Sequence, residues 1–426
     1  MSADTSSGTI PDGWKTAAIG DVCKVVSGST PKTSVSKYWG GDIPWLTPND
    51  LSKNRSKVVN HGERSITQNG FDSCSTQMVP EGAVLFTSRA PIGYVAIAGT
   101  PMCTNQGFKS AVPNEDIGTE FLYWQLQNLT DDIRSRASGT TFLEISGRGF
   151  AATTLVVPPL KEQEKIVEIL EEQLSRLDAA LASIKITKIK IEKLRGSLIE
   201  ASLNGDTTTD FVDNWEMKLL GDLVDRKSDI VDGPFGSNLK SEHYVAAGAR
   251  VIRLQNIGYG DFRNEKAFIT EEHFERLKKH DAVEGDLLFA SLGERLPRTC
   301  LMPNIDAPAI VKADCIRIRL SPRVNNRFVL YATQSPTARV WASEQLHGLG
   351  RPRLGLGNIR EFPIRIPSLE AQNRIVNFLD EQFSRLEASL AVANAIEKKA
   401  STLRRSLLHA AFTGVLTKEW REGAHV

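Results

Sequence analysis

The sequence predicts an α+β protein: two globular α/β-mixed domains separated by two long antiparallel coiled-coil helices, in a pseudo-two-fold circular arrangement. Three observations predict it. Residues 158–208 and 367–417 align without a gap at a constant offset of 209 residues (367 − 158), with 22 identities in 51 positions. Ordinary composition gives roughly three by chance, so the segment is duplicated. Both copies carry a heptad-type apolar stripe. The segments ahead of each copy hold short β-rich runs mixed with few helices: IPWL, AVLFTS and GYVAIAG in one, RVIRLQNI, DLLFAS and CIRIRL in the other.

In chain order, residues 10–157 form the first domain, 158–206 the first helix, 210–366 the second domain and 367–417 the second helix. Each domain opens on a tryptophan followed by Gly-Asp: Trp14 with Gly20-Asp21, Trp215 with Gly221-Asp222. Each has a turn-then-strand phrase, at Pro80–Ser88 and Val283–Ser291, and then an amphipathic stretch, FLYWQLQN at Phe121 and FVLYATQS at Phe328. A glycine-rich loop and a short strand lead into the proline that starts each helix. Pro158 and Pro367 suit a helix start, where proline loses no needed N–H, and Gly205 and Gly414 suit a helix end. The stripe runs Val167, Leu170, Leu174, Leu177, Leu181, Ile184, Ile191, Leu198, and in the second copy Val376, Leu379, Phe383, Leu386, Leu390, Ala393, Ala400, Leu407. A helix of roughly 45 residues spans about 65 Å, and neither copy can bury its stripe alone. Lys188 with Glu397, and Arg195 with Arg404, are polar at seam positions, where they either fix register or mark fraying. Trp420 lies past the second helix as Trp215 lies past the first, which places the chain ends close together.

Composition bounds the function. The 426 residues carry a net charge of +1, with 41% hydrophobic and 24% charged residues, values of a soluble globular protein. Residues 10–157 hold 13 Lys/Arg against 13 Asp/Glu, and residues 210–366 hold 23 against 21. A strongly basic coat for nucleic acid is excluded, so any such contact is a local patch or is shared with a partner. The N-terminus MSADTSSGT has no apolar h-region, and no apolar run approaches the ~20 residues of a membrane span. Five cysteines without a C-x-x-C pair fit reduced, buried thiols. A cytoplasmic protein without membrane contact is expected.

Catalytic motifs are absent from the sequence. There is no G-x-x-x-x-G-K-[ST] loop, no N-P-P-[FY] or D-P-P-[FY], no H-E-x-x-H helix, and no G-x-G-x-x-G in a strand–turn–helix setting. The seven histidines are scattered without ligand spacing. The run HGLGRPRLGLGN reads as a flexible basic loop or an ordinary glycine-rich connection.

The alternation of unlike domains with a repeated helix, the P-[PS]-L-x-x-Q-x-x-I-V opening of both helices, and the run DGPFGSNLK at Asp232–Lys240 carry a resemblance. From about Ile10 to Trp420 the chain resembles the specificity subunit of type I restriction–modification systems. The resemblance implies two target recognition domains, each reading one half of a gapped double-stranded DNA site. It implies helices that set the spacer and dock two methyltransferase subunits and, through them, restriction/translocase subunits. It also implies a chain without chemistry or cofactor of its own, S-adenosylmethionine and ATP belonging to the partner subunits.

Base edges are read by Arg, Lys, Asn, Gln, Ser and Thr, and variable contacts favour loops. The DNA-binding candidates in the first domain are Ser29, Thr30, Lys32, Arg89, Lys109, Thr140, Thr141 and Arg148. In the second they are Ser237, Asn238, Lys240, Gln255, Asn256, Arg295, Arg298, Arg351 and Arg353. Any one of them also fits a solvated loop side chain, and more are expected on phosphate than on bases. The polar positions kept in both helices, Gln163, Glu172, Gln173 and Arg176 with Gln372, Glu381, Gln382 and Arg385, are the partner-binding candidates, against a merely solvated face. Two other readings stand beside this one: a single-chain DNA-modifying enzyme with recognition domains, and a coiled-coil adaptor that does not touch DNA.

Overall fold

The computed structural model describes residues 10–54, 56–89, 91–139, 143–206, 214–293, 295–346 and 352–423. Two long helices dominate the element order, Leu160–Asn204 with 45 residues and Leu369–Phe412 with 44. The prolines sit just ahead of both, as their missing N–H allows. Contacts divide the chain into two units, residues 1–183 with 395–426 and residues 184–394. Each unit therefore holds one α/β domain, one half of the first helix and one half of the second.

The first unit is built on a five-stranded sheet, ordered Cys23–Ser27, Phe108–Pro113, Val84–Thr87, Val95–Ala98, Val58–Val59. All its neighbours are antiparallel except the last pair. A three-stranded sheet of Arg64–Ile66, Trp39–Leu46 and Cys103–Thr104 lies beside it in sequence. The strand Lys15–Ala18 pairs antiparallel with Thr154–Val157, so the domain is clasped shut where the long helix begins. One core joins Phe86, Phe121, Leu122 and Phe150 of the domain to Val167, Leu170 and Leu174 of the first helix and Ala411 and Phe412 of the second. The Glu162–Thr417 and Asp178–Arg404 contacts show the two segments running antiparallel, since one number falls as the other rises.

The second unit repeats the plan with different strands. One four-stranded sheet is ordered Ile230–Asp232, Cys315–Ile318, Leu287–Ala290, Arg298–Leu301. Another is ordered Tyr244–Val245, Phe268–Ile269, Ala249–Ile252, Ala309–Val311. Glu216–Leu219 pairs antiparallel with Pro363–Ile366 as the closing clasp. Its core joins Phe289, Ile316 and Phe328 to Ile199 of the first helix and Val376, Leu379 and Phe383 of the second. Lys188 bonds Asn394 at 2.6 Å and Arg195 pairs with Glu387 at 3.6 Å, so here too the helical segments are antiparallel.

The polar seam positions do not mark frayed ends. Arg404 meets Asp178 at 2.5 Å in the first unit, and Arg195, 209 residues earlier, meets Glu387, the counterpart of Asp178, in the second. A guanidinium at a seam is tolerated because a carboxylate of the same unit completes it. Among the described residues no helix is long and apolar enough to cross a membrane.

Candidate nucleic-acid interface

In the first unit, antiparallel pairing brings the end of Cys23–Ser27, the start of Phe108–Pro113 and the end of Val84–Thr87 to one edge of the sheet. The chain leaves that edge in loops. Gly28 turns the first of them directly over the backbone of Thr104 and Asn105, where any Cβ would collide. The Ile145 N–H donates to the Ser88 carbonyl at 3.0 Å, which lays residues 144–145 against the same edge. Ser146 then caps the short helix Gly147–Ala151 through Gly149 N–H.

The second unit builds the same edge from Asp232, Cys315 and Ala290. Gly233 crosses the backbone of Val311 and Lys312 as Gly28 crosses 104–105. The Leu354 N–H donates to the Ser291 carbonyl at 2.8 Å, the counterpart of the Ile145–Ser88 bond. Ser88 and Ser291 are the last residues of the two turn-then-strand phrases recognised in the sequence.

Charges gather at both edges. Glu144 lies 3.2 Å from Arg89 and 3.5 Å from Lys109. Arg353 lies 3.3 Å from Asp232 and 2.8 Å from Asp314, with its guanidinium 5.2 Å from the ring centroid of Phe235. Burial raises the Asp232 carboxyl above the ordinary carboxylate range, against the pull of the Gly233 N–H, Arg353 and the Asp314 N–H.

The structure places the remaining candidates as follows. Ser29, Thr30 and the exposed Lys32 follow Gly28 on the edge loop, with the Thr30 hydroxyl bonded to Gln106. Arg148 is exposed on the capped helix. Ser237 and Asn238 are exposed on the one-turn helix Gly236–Asn238, and Lys240 is exposed two residues on. Gln255 and Arg295 are exposed in a second group, where Tyr259 donates to the Arg295 carbonyl at 2.9 Å and Arg298 to the Leu254 carbonyl at 2.9 Å. Leu292 bridges Arg353, which brings the end of Leu287–Ala290 to the Arg353 edge. Thr140, Thr141 and Arg351 lie outside the described residues.

Four candidates need correction. Asn256 is fully buried, donating to the Arg263 and Glu265 carbonyls at 2.7 Å each and accepting from Arg253 N–H; it braces the loop and cannot meet a base. Gln163 and Gln372 are 2% and 1% exposed, so neither offers a partner a surface. Their carboxamides join the helix starts to the domains instead. Gln163 accepts from Gly118 N–H and donates to the Asp116 and Pro158 carbonyls. Gln372 accepts from Asn325 N–H and donates to the Pro367 carbonyl. Lys109 is 7% exposed and committed to Glu144. The other helix candidates face outward as matched sets. Arg176 pairs with Glu172 and Arg385 with Glu381 at 2.6 Å each, and Gln173 and Gln382 are half-buried beside them.

Sequence reasoning missed Glu144 and the 48% exposed Phe235. A signal for Glu144 existed: it precedes Arg353 by the same 209 residues that relate the helices, so the gapless register extends upstream into both domains.

Comparison with known proteins fixes what frame this is. Residues 11–193 and 213–398 each match the family described as type I restriction modification DNA specificity domain. The chain belongs to this family. It is similar to the type I restriction enzyme MjaIX specificity subunit of Methanocaldococcus jannaschii, at 32% identity over 310 residues covering 69% of each chain. The EcoBI specificity subunit of Escherichia coli is 21% identical across 97% of this chain and 88% of its own. A chain solved to show the structural basis of complex assembly and conformational transition of the type I R-M system shares the fold, with a TM-score of 0.75 at 18% identity over 95% of this chain and 99% of the other. The HsdS subunit from Thermoanaerobacter tengcongensis gives 0.59 at 19% identity over 96% and 99%. As a type I specificity subunit, the chain carries two matched domains that fit two-part recognition, and the single-chain enzyme and the adaptor are not favoured.

Proposed function

We propose that each unit of this specificity subunit reads one half of a gapped double-stranded DNA site, using the loop edge that carries Arg89, Glu144 and Lys32 in one unit and Arg353, Ser237 and Asn238 in the other. The observation that supports this is the shared frame with unlike side chains. The Ser88–Ile145 and Ser291–Leu354 bonds and the Gly28 and Gly233 crossings recur, while the residues they present differ. A frame held constant with its contacts varied is what two readers of two different sequences require. The long helices set the distance between half-sites. Their outward Arg176–Glu172 and Arg385–Glu381 pairs take the same surface of two methyltransferase subunits, through which restriction/translocase subunits join. S-adenosylmethionine and ATP act on those partners. The near-neutral charge of the chain gives weak DNA binding alone and strong, salt-dependent binding once assembled.

The test is a base-resolution map of adenine methylation in host cells with and without this gene. Loss of one motif, two short blocks around a fixed gap, is the expected result. An unchanged map, with the chain and its methyltransferase partners both expressed, would overturn the proposal.

A further inference from the structure

Position 144 and position 353 occupy the same place in the two frames and carry opposite charge. Each immediately precedes the residue whose N–H bonds the serine at the strand end, Ser88 or Ser291. Each forms an isolated antiparallel bridge with the residue after that serine, Arg89 or Leu292. In the first unit the position is an acid held between two bases, Arg89 and Lys109. In the second it is a base held between two acids, Asp232 and Asp314. Both side chains stay partly open, Glu144 at 33% and Arg353 at 42%.

The surroundings limit what these groups do. An ion pair made only for stability would not need its whole polarity inverted between two copies of one frame. Nor does either central group cancel its surroundings, since each has two opposite charges around it. What the arrangement does achieve is rigidity. A long side chain fixed from two sides presents its remaining hydrogen-bonding atoms at a set place with little rotamer entropy left to lose. The accepting edge of Glu144 and the donating edge of Arg353 match opposite patterns in the major groove. A carboxylate accepts from the exocyclic amino group of cytosine, and a guanidinium donates in a fork to O6 and N7 of guanine. The exposed ring of Phe235 beside Arg353 adds an apolar surface at the same spot.

We propose that position 144/353 is a specificity switch of the two readers: Glu144 selects a cytosine in one half-site and Arg353 a guanine in the other, each held in place by its flanking opposite charges. This deepens the proposed function and rests on it. Arg89, Lys109, Asp232 and Asp314 then act as positioning residues that aim the central group.

The test uses the full chain assembled with its methyltransferase partners, challenged with double-stranded DNA libraries randomised across both half-sites, with base preference read position by position. Wild type is the control for the proposed function; if it selects no gapped motif, that reading fails and this one with it. Given a wild-type motif, Glu144→Gln should abolish the preference at one cytosine position of one half-site by about tenfold or more and leave the other half unchanged. Arg353→Gln should do the same at one guanine position of the other half. Uniform weakening or strengthening without a change in preference would mean that the residue only balances Arg89 and Lys109, or Asp232 and Asp314, and would overturn the inference. The conservative variants Glu144→Asp and Arg353→Lys guard against a simple folding failure. Each should keep the identity of the preferred base while lowering its selectivity, and preference shifted in both half-sites at once would also overturn the inference.

Discussion

Glu162 accepts the guanidinium of Arg421 at 3.0 Å across 259 residues of chain. The same carboxylate accepts the Thr417 hydroxyl at 2.8 Å and the Trp14 indole N–H at 2.9 Å. One buried acid at the start of the first helix therefore ties down both Trp14 and the helix Lys418–Gly423. The matching position in the second copy is Ala371, buried at 2%.

The clasp predicts a specific stability loss. Glu162→Ala leaves the Arg421 guanidinium, 21% exposed, without its partner and strips acceptors from Trp14 and Thr417. A loss of roughly 3 kcal/mol is expected for the first unit, the low end for a broken buried pair because Arg421 keeps some access to water. Glu162→Gln, which still accepts from Trp14 and Thr417, should lose less. Denaturant unfolding of both variants checks this; equal losses would show that the bonds to Trp14 and Thr417 contribute nothing beyond the charge.

The duplicated glutamines give a second stability prediction. Gln163→Leu leaves the Gly118 N–H and the Asp116 and Pro158 carbonyls without partners at a partly buried junction, where the buried Pro158 carbonyl alone costs about 1–3 kcal/mol. Gln163→Glu should be worse at neutral pH, because it aims a carboxylate oxygen at two carbonyls. Thermal unfolding of the two variants should rank in that order, and the reverse order would count against the junction role.

Thiol chemistry should single out one cysteine. Burial pushes the Cys23 and Cys300 thiols up to about 12 and Cys103 up to about 11, and it raises Cys315 beside Asp232 and Asp314. Only the thiolate reacts, and Cys74 alone among the five is not buried. A labelling time course on the native chain should show one fast thiol at Cys74 and four released only on unfolding. A second fast thiol would contradict the packing of one of the three sheets that hold the buried cysteines.

Acid should weaken the second unit through His280. This ring is 8% exposed and its Nδ1–H donates to the Asp232 carbonyl at 2.7 Å. Burial foremost, with Lys279 and Arg317 nearby, lowers its pKa below the ordinary 6.5, against the pull of the Asp232 bond. The native state thus holds a neutral ring that the unfolded chain protonates more readily. Its stabilising share is complete above about pH 6.5 and is lost as pH falls through the lowered native value. His280→Gln should flatten that part of the stability–pH curve, and an unchanged slope would show that other groups set it.

Much of this was legible in the sequence because it is periodic or duplicated. The stripe from Val167 to Leu198 and its copy gave the helices, and the paired Gly-Asp and strand phrases gave two related domains. The site was only partly legible. Composition puts Arg89, Lys32, Ser237 and Arg353 on the loops that carry the edge, but side-chain type does not reveal burial. Asn256 and Gln163 have the chemistry of contact residues and are consumed by backbone groups of their own domains. Glu144 falls outside a candidate set drawn from Arg, Lys, Asn, Gln, Ser and Thr. The 209-residue offset pairs it with Arg353 in the sequence, and the bonds to Ser88 and Ser291 show that both stand at the same place in the frame.

The outward face of the helices gives the last prediction. Arg176 and Arg385 are each 68% exposed and, among the described residues, each pairs one turn back along its own helix, with Glu172 and Glu381. Such exposed pairs contribute about 0.3–0.5 kcal/mol, too little to explain why both arginines, both glutamates and the adjoining Gln173 and Gln382 recur in the two copies. The proposed methyltransferase-docking surface would account for it. The double variant Arg176→Glu with Arg385→Glu should therefore unfold within about 1 kcal/mol of wild type yet fail to co-elute with two methyltransferase subunits on a sizing column. Either single variant should retain one. Normal assembly of the double variant would remove this face from the docking surface and leave its duplication to the history of the repeat alone.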